Sequence, residues 1–173
     1  MIELSQLEQV QQWTGLTCGD ILFDSDIHNW SIDTSELNHQ IEGKSQVVFV
    51  IEEENGEVFG FYESGEIGYE EDAEEMESET EFESFVFNLH SNGRLNSPMK
   101  CAIKGTYDDG TYLFKSDSNE LISVGCIHLY KKEQKQLSEC VEYETDFEFG
   151  GRKNVICGKR KFTPKRILVI QMN

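Results

Sequence analysis

The residues with the clearest potential for chemistry are a cysteine and the basic residues around it. Cys157 lies in the segment GGRKNVICGKRKF, close to Arg152, Lys153 and Lys159. Nearby positive charge favours the thiolate, which is the form that oxidants attack. Cys157 is therefore the candidate redox thiol of this sequence. The alternative is a structural cysteine, because residues 155–157 read as the apolar triplet VIC.

The other four cysteines show no pattern of their own. Cys18, Cys101, Cys126 and Cys140 are widely spaced, and the chain has no C-x-x-C motif. Five cysteines without close spacing predict neither a disulfide framework nor a structural zinc site. Reduced thiols are the expected state, with these four acting as small apolar side chains.

The basic C-terminal segment has two interpretations. Residues 152–173 contain seven basic residues and no acidic one: Arg152, Lys153, Lys159, Arg160, Lys161, Lys165 and Arg166. These side chains could contact the phosphates of a nucleic acid or an acidic partner. Alternatively, they neutralise the acidic remainder of the chain, within one molecule or in an oligomer. The second interpretation is favoured, because self-repulsion of so acidic a chain would oppose non-specific binding to DNA.

Carboxylates are abundant but do not have the spacing of a metal site or a catalytic pair. The stretch GEIGYEEDAEEMESETEFESF, residues 65–85, has ten acidic and no basic residues. It lacks the fixed offsets and turn glycine of a calcium loop, so a solvated acidic loop at about 64–83 is predicted. The nearest match, DSDIHNWSIDTSE, has His28 at a ligand position and Asn29 in place of the glycine. We expect no metal and no cofactor.

Composition and motifs place the chain among non-membrane proteins without an evident reaction. Its 173 residues carry a formal charge of −18, which argues against general binding to nucleic acid or anionic membranes. No apolar run is long enough to span a bilayer, and the N-terminus does not resemble a signal peptide. Nucleotide-binding loops and nucleophile elbows are absent from the sequence. The expectation is a cytoplasmic protein, with the nucleus as an alternative, that is not an enzyme.

The elements that would position these residues are mainly strands. Apolar spacing from Leu4 to Trp13 predicts an N-terminal helical segment over residues 1–13, and 35–41 predicts a second short helix. QVVFVIEE and EVFGFYES predict a hairpin whose two-residue turn is Asn55-Gly56. FESFVFNLH, MKCAIKG, TYLFKS, LISVGCIHLY and RILVIQM read as further strands. Eight to ten strands with few helices predict an α+β, mainly β fold, a two-sheet antiparallel β-sandwich with peripheral helices.

The order of these strand motifs resembles the TLDc domain family. KSQVVFVIEEENGEVFGFYES is similar to that family's opening hairpin, in which a V-F-G-x-Y strand follows a D/N-G turn. FESFVFNL resembles its S-F-x-F-x-L strand, and SECVEYETDFEFGGRKNVICG resembles the segment with its Cys and Phe-Gly. RILVIQM would be its last strand, although that strand lacks the family's tryptophan. The resemblance covers roughly residues 14–172, which predicts a TLDc-like domain over 14–173.

The resemblance implies a β-sandwich with surrounding helices and a role in resistance to oxidative stress. It also implies a protein partner, and several family members bind the vacuolar proton pump. No catalytic residue is carried over. The leading hypothesis is a non-enzymatic TLDc-like protein-interaction domain of the stress response. The alternatives are a DNA-binding stress regulator that uses the basic segment, and a peroxide-responsive sensor that uses Cys157.

Overall fold

The chain folds into two β-sheets packed face to face, with two short helices. The computed structural model describes residues 1–69, 83–104, 111–115 and 117–173. Its helices are α1 (Leu4–Thr14) and α2 (Leu37–Ile41). Its strands are β1 (Cys18–Asp24), β2 (Val47–Glu53), β3 (Val58–Glu63), β4 (Gly68–Tyr69), β5 (Phe85–His90), β6 (Met99–Ala102), β7 (Thr111–Leu113), β8 (Glu120–Val124), β9 (Ile127–Tyr130), β10 (Ser138–Cys140), β11 (Lys161–Phe162) and β12 (Pro164–Met172). The predicted α+β, mainly β sandwich is confirmed.

Each sheet has six strands, and nearly all neighbours are antiparallel. The first sheet has the order β1-β12-β2-β3-β5-β6, and the second has the order β11-β10-β9-β8-β7-β4. The pairing of β4 with β7 is parallel. The C-terminal strand β12 lies inside the first sheet, between β1 and β2, which agrees with its continuous apolar sequence.

Alternating residues of the first sheet supply two separate apolar clusters. On β2, Phe49 and Ile51 face the second sheet, whereas Val48 and Val50 belong to the cluster on the opposite face. Phe59, Phe61 and Trp30 are also buried between the sheets. On β5, Phe85 and Phe87 share one face and Val86 lies on the other, as the alternation predicts. Both faces of the first sheet are therefore covered.

Helix α1 covers the outer face of the first sheet. Val10 is fully buried there, and the Trp13 ring meets the Phe85 ring edge to face with centroids 6.0 Å apart. The helix ends at Gly15, whose φ of +73° lets its N–H donate to the Gln11 carbonyl at 2.8 Å. The predicted N-terminal helix is present and forms an outer layer of the sandwich. Neither helix among the described residues is long and apolar enough to cross a membrane.

The first hairpin has a longer turn than the sequence predicts. Glu53 donates its N–H to the Glu57 carbonyl at 3.0 Å, and Gly56 donates to the Glu53 carbonyl at 2.9 Å. The loop therefore has three residues, and its last residue, Gly56, has a φ of +88° while Asn55 keeps a negative φ. This geometry is a three-residue loop that ends in a glycine bulge. The expected two-residue turn with two positive φ angles was wrong.

Two other local predictions also change. The run LISVGCIHLY, predicted as one strand, folds back as the β8–β9 hairpin. The chain reverses at Gly125. Glycine suits this position because its φ is +57° and because a Cβ there would lie 2.8 Å from the Phe61 ring. The second helix, predicted over residues 35–41, begins later, at Leu37, and ends at Ile41 as predicted. The predicted acidic loop lies mostly outside the described residues, which include 64–69 and 83 at its ends.

Candidate functional site

Most of the basic C-terminal segment contacts carboxylates of the same chain. Five of its seven basic side chains form ion pairs with acidic residues that are distant in sequence. These pairs are Lys159–Glu53 at 2.7 Å, Arg160–Glu139 at 3.3 Å, Lys161–Glu139 at 3.6 Å, Lys165–Glu52 at 2.6 Å and Arg166–Asp24 at 2.6 Å. The segment therefore neutralises carboxylates within the molecule, which is the interpretation that the sequence favoured.

The pair between Asp24 and Arg166 has the most specific geometry of the five. Nε and Nη2 of Arg166 donate to the two Asp24 carboxylate oxygens at 3.1 and 2.6 Å. Asp24 is 6% exposed, and Asp26 adds a second contact to Arg166 at 3.2 Å. The Arg166 hydrogen bond holds the Asp24 pKa below its ordinary value, and the same bond raises the Arg166 pKa. We call this pair of hydrogen bonds the Asp24–Arg166 fork, and it joins the neighbouring strands β1 and β12.

Two buried carboxylates at the end of β2 form ion pairs with other basic groups of the chain. Glu53 is fully buried and contacts Lys159, and it also accepts the backbone N–H of Asn55 at 2.8 Å. Glu52 contacts Lys165 on the neighbouring strand and the amino group of Met1 at 2.8 Å. Burial opposes the ionisation of Glu52, but these cationic hydrogen bonds outweigh burial and lower its pKa. The basic residues therefore compensate charges that the sheet has buried.

The remaining two basic residues, Arg152 and Lys153, lie on an exposed turn between Phe149 and Val155. Gly150 and Gly151 in this turn have φ angles of +66° and +73°. Both glycines thus provide the left-handed conformation that the turn requires. Of the candidate phosphate or acidic-partner contacts, Arg152 and Lys153 are the two outside the internal ion pairs described above.

Cys157 does not have the environment that its sequence neighbours suggest. Its side chain is buried in the cluster between the sheets, with 1% exposure. Burial raises the pKa of the thiol, nearby Cys140 and Glu53 raise it further, and Lys159 only partly offsets this effect. The expectation that basic neighbours favour the thiolate is therefore reversed in the folded chain. The structural alternative for Cys157 fits its burial.

A polar network that the sequence did not reveal holds the segment around Cys157. Arg94 binds Glu57 through two hydrogen bonds, at 2.7 and 3.2 Å, and donates to the Val155 carbonyl at 3.0 Å. Asn88 donates to Glu57 at 3.1 Å and to the Ile156 carbonyl at 2.6 Å. These partners are up to 68 residues apart, so no local motif could have indicated them. The network positions the turn that carries Arg152 and Lys153.

A second missed feature is an open cavity of about 800 Å³ beside α2. Lys131 lies in its wall with 4% exposure, and desolvation lowers its pKa although Asp117 opposes the shift. In the sequence YKKEQK this lysine resembles an ordinary solvated residue. The cavity also has acidic and polar side chains in its wall, including Glu42, Asn38 and His39. Its mixed charges select no particular ligand.

The segment that nearly matches a calcium loop, DSDIHNWSIDTSE, provides carboxylates that bind Arg166 in the folded chain. Asp24 and Asp26 bind Arg166, and His28 accepts the Asp24 N–H through Nδ1 at 2.9 Å. Across residues 1–69, 83–104, 111–115 and 117–173, no three His, Cys, Asp or Glu side chains are grouped as metal ligands.

The comparisons with known proteins do not assign the chain to a family. No family model matches its sequence, and no curated protein matches it. The resemblance to TLDc domains therefore stays a prediction, based on the order and spacing of the strand motifs.

The exposed surface around α2 is negatively charged and could contact a positively charged partner. Exposed carboxylates surround α2, where Glu36 and Glu42 flank the helix and Glu66 lies about 4.0 Å from the Cβ position of Gly43. We call Glu36, Glu42 and Glu66 the acidic patch. Most C-terminal bases are engaged in internal ion pairs, so the acidic patch presents exposed negative charge, and the sequence after Tyr69 is rich in acidic residues.

Proposed function

We propose that this chain is a TLDc-like protein-interaction domain that acts without catalysis and binds a basic segment of a protein partner. The observation that carries the proposal is the internal pairing of the C-terminal bases with Asp24, Glu52, Glu53 and Glu139. Because those bases are already engaged, the charge offered to a partner is negative. A Lys- and Arg-rich segment is the complementary partner.

The stress-response part of the proposal rests on the resemblance alone. Of the motifs that carry it, KSQVVFVIEEENGEVFGFYES holds β2 and β3, FESFVFNL holds most of β5, and RILVIQM lies in β12, so these motifs are strands of one sheet. Cells that lack the chain should survive peroxide less well than cells that carry it. Equal survival would contradict the role in the stress response. Binding to the vacuolar proton pump stays a prediction of the resemblance. A cytoplasmic location belongs to the same proposal.

The binding test compares two labelled probes under the same conditions. Fluorescence anisotropy is measured with a Lys/Arg-rich peptide and with duplex DNA over a series of salt concentrations. We expect the peptide to bind, its affinity to fall with salt, and the DNA not to bind at any salt concentration. Salt-dependent binding of DNA equal to or tighter than that of the peptide would instead support the DNA-binding regulator that uses the basic C-terminal segment.

A matched pair of variants locates the contact. The double substitution Glu42→Gln and Glu66→Gln removes two charges from the acidic patch. Glu8→Gln with Asp20→Asn removes two exposed charges elsewhere. We expect the first variant to weaken peptide binding by about 2- to 30-fold, because an exposed ion pair contributes about 0.2–1 kcal/mol. Equal weakening by both variants would show general attraction to the net charge and contradict a patch-specific contact.

A further inference from the structure

Two buried cysteines, 14 residues apart in the sequence, lie in direct contact. The Sγ atoms of Cys126 and Cys140 are 3.7 Å apart, and both thiols are free. Cys126 follows Gly125 in the β8–β9 turn, and Cys140 ends β10. Val141 donates its N–H to the Cys126 carbonyl at 2.8 Å, so Cys126 lies opposite Val141, diagonal to Cys140, which pairs with Ile127.

We propose that Cys126 and Cys140 form a reversible intramolecular disulfide when the protein meets a peroxide. A disulfide requires the sulfur atoms to approach to about 2.05 Å, and rotation of the two cysteine side chains, one in the β8–β9 turn and one at the end of β10, can supply this movement. In the closed form the backbone at Cys140 is held in place, because its N–H donates to the Arg160 carbonyl at 2.7 Å. The site thus needs little rearrangement.

The reaction balances with hydrogen peroxide as the oxidant. In the locally opened form, where the burial that raises the thiol pKa is relieved, one thiol loses its proton and the thiolate attacks a peroxide oxygen. The O–O bond breaks, a sulfenic acid forms, and the released hydroxide takes up the thiol proton to give one water. The second thiol then attacks the sulfenic sulfur, the S–O bond breaks, and a second water leaves. Two thiols lose two protons and two electrons, and one peroxide molecule becomes two molecules of water. A dithiol reductant reverses the bond by thiol–disulfide exchange.

The local structure explains how the oxidant reaches a buried pair. Cys126 and Cys140 are 3% and 4% exposed, so peroxide needs a local opening. β10 has three residues and β11 has two, and these short strands end the second sheet. Short edge strands with few hydrogen bonds open at lower free energy than the centre of a sheet.

Cys157 lies in the same buried cluster as Cys126 and Cys140, but it is not one of the two thiols of the proposed disulfide. Its backbone partly offsets the rise that Cys126 and burial cause in the Cys140 pKa. The sequence singled out Cys157 because of its charged neighbours, whereas the contact distance selects Cys126 and Cys140. This inference is independent of the proposed binding function, whose tests involve no thiol.

The experiment maps disulfides in protein treated with hydrogen peroxide. A Cys18→Ser background removes the half-exposed thiol and prevents cross-linking between molecules. We expect non-reducing peptide mapping by mass spectrometry to find the 126–140 linkage, and dithiothreitol to abolish it. The linked form should also have a higher midpoint of thermal unfolding, because the bond restricts the unfolded chain.

Matched variants and alternative products decide the outcome. Cys126→Ser and Cys140→Ser should each eliminate the linked peptide, whereas Cys101→Ser should retain it. Cys101 is a fair control because it is also buried, and burial raises its pKa to about 11. Thiols that stay reduced, a Cys140–Cys157 linkage, or oxidation of Cys101 as fast as the pair would each overturn the proposal. The mapping of the Cys18→Ser protein is decisive even if a Ser variant fails to fold.

Discussion

At the scale of single residues, the Asp24–Arg166 fork shows how the acidic chain tolerates buried charge. A carboxylate with 6% exposure is costly unless it is paired and hydrogen bonded. Arg166 supplies two hydrogen bonds to Asp24, and the backbone N–H of Asp26 supplies another at 3.1 Å. The fork therefore serves mainly to join β1 to β12.

Asp24→Asn tests this fork. Because Arg166 lowers the folded-state pKa of Asp24, its stabilising effect is fully present above the ordinary aspartate pKa of about 3.9. The effect is lost as the pH falls through the lower folded-state pKa. We expect the variant to lose about 1.5–3 kcal/mol of unfolding free energy at neutral pH, the range for hydrogen bonds to charged groups.

The measurement is urea unfolding of wild type and variant from neutral pH to below pH 3.9. The difference in unfolding free energy should shrink as the pH falls below about 3.9. Asp20→Asn, an exposed change on the same strand, should alter the unfolding free energy little at any pH. A difference for Asp24→Asn that is unchanged at the lowest pH would contradict the role of its charge.

At the scale of elements, the first sheet explains the glycine of the V-F-G motif. Gly60 on β3 faces Val50 on β2, and the Phe87 ring of β5 covers it on the other side. A Cβ at Gly60 would overlap the Phe49 carbonyl and lie 2.8 Å from the Phe87 ring. The motif is therefore explained by close packing between three strands, with no requirement for a ligand.

Gly60→Ala should consequently destabilise the fold strongly. Overpacking in a fixed core costs about 1–3 kcal/mol or more, and here backbone atoms would have to move. Thermal unfolding of the purified variant measures the loss. Gly15→Ala is the control, because no atom lies within 4 Å of its Cβ position and only the positive φ is strained. A loss at Gly60 no larger than the loss at Gly15 would contradict the packing argument.

At the scale of the whole molecule, charge opposes the compact state. The formal charge is −18, and even with the five ion pairs of the basic C-terminal segment the chain repels itself. The ion pairs at Asp24, Glu52 and Glu53 involve buried carboxylates, which salt screens less than exposed charges. Salt should therefore relieve repulsion more than it weakens these pairs.

We expect the midpoint of thermal unfolding to rise between very low ionic strength and about 0.15 M, where the Debye length is about 8 Å. Each 1 kcal/mol gained corresponds to about 2–4 °C for a domain of this size. Differential scanning calorimetry in sodium chloride measures the shift. Chloride is used because sulfate stabilises proteins by exclusion from their surface. A midpoint that falls with salt would show that the ion pairs outweigh the repulsion.

Local patterns in the sequence were enough to predict the type of fold. Period-two alternation in FESFVFNLH placed Phe85 and Phe87 on one face, and the apolar run of β12 predicted a strand buried on both faces. The turns were predicted less well, because Asn55-Gly56 and Gly125 accept several loop geometries. Hairpin registry in the complete sheet decides which geometry forms.

The sequence alone determined the mainly β fold class and several of the strands, the strong acidity and the basic C-terminal end, because composition and short-range periodicity encode them. It predicted eight to ten strands, whereas the residues that the structure describes form twelve, and β1, β4, β10 and β11 were not predicted. Only the tertiary structure decided which charges and thiols meet. Arg166 and Asp24 are 142 residues apart, and they meet because β12 inserts beside β1. Cys126 and Cys140 meet through the pairing of β9 with β10, while Cys157 is buried despite its basic neighbours. Sheet order brings such residues together, and sheet order depends on contacts distant in sequence that no local motif specifies.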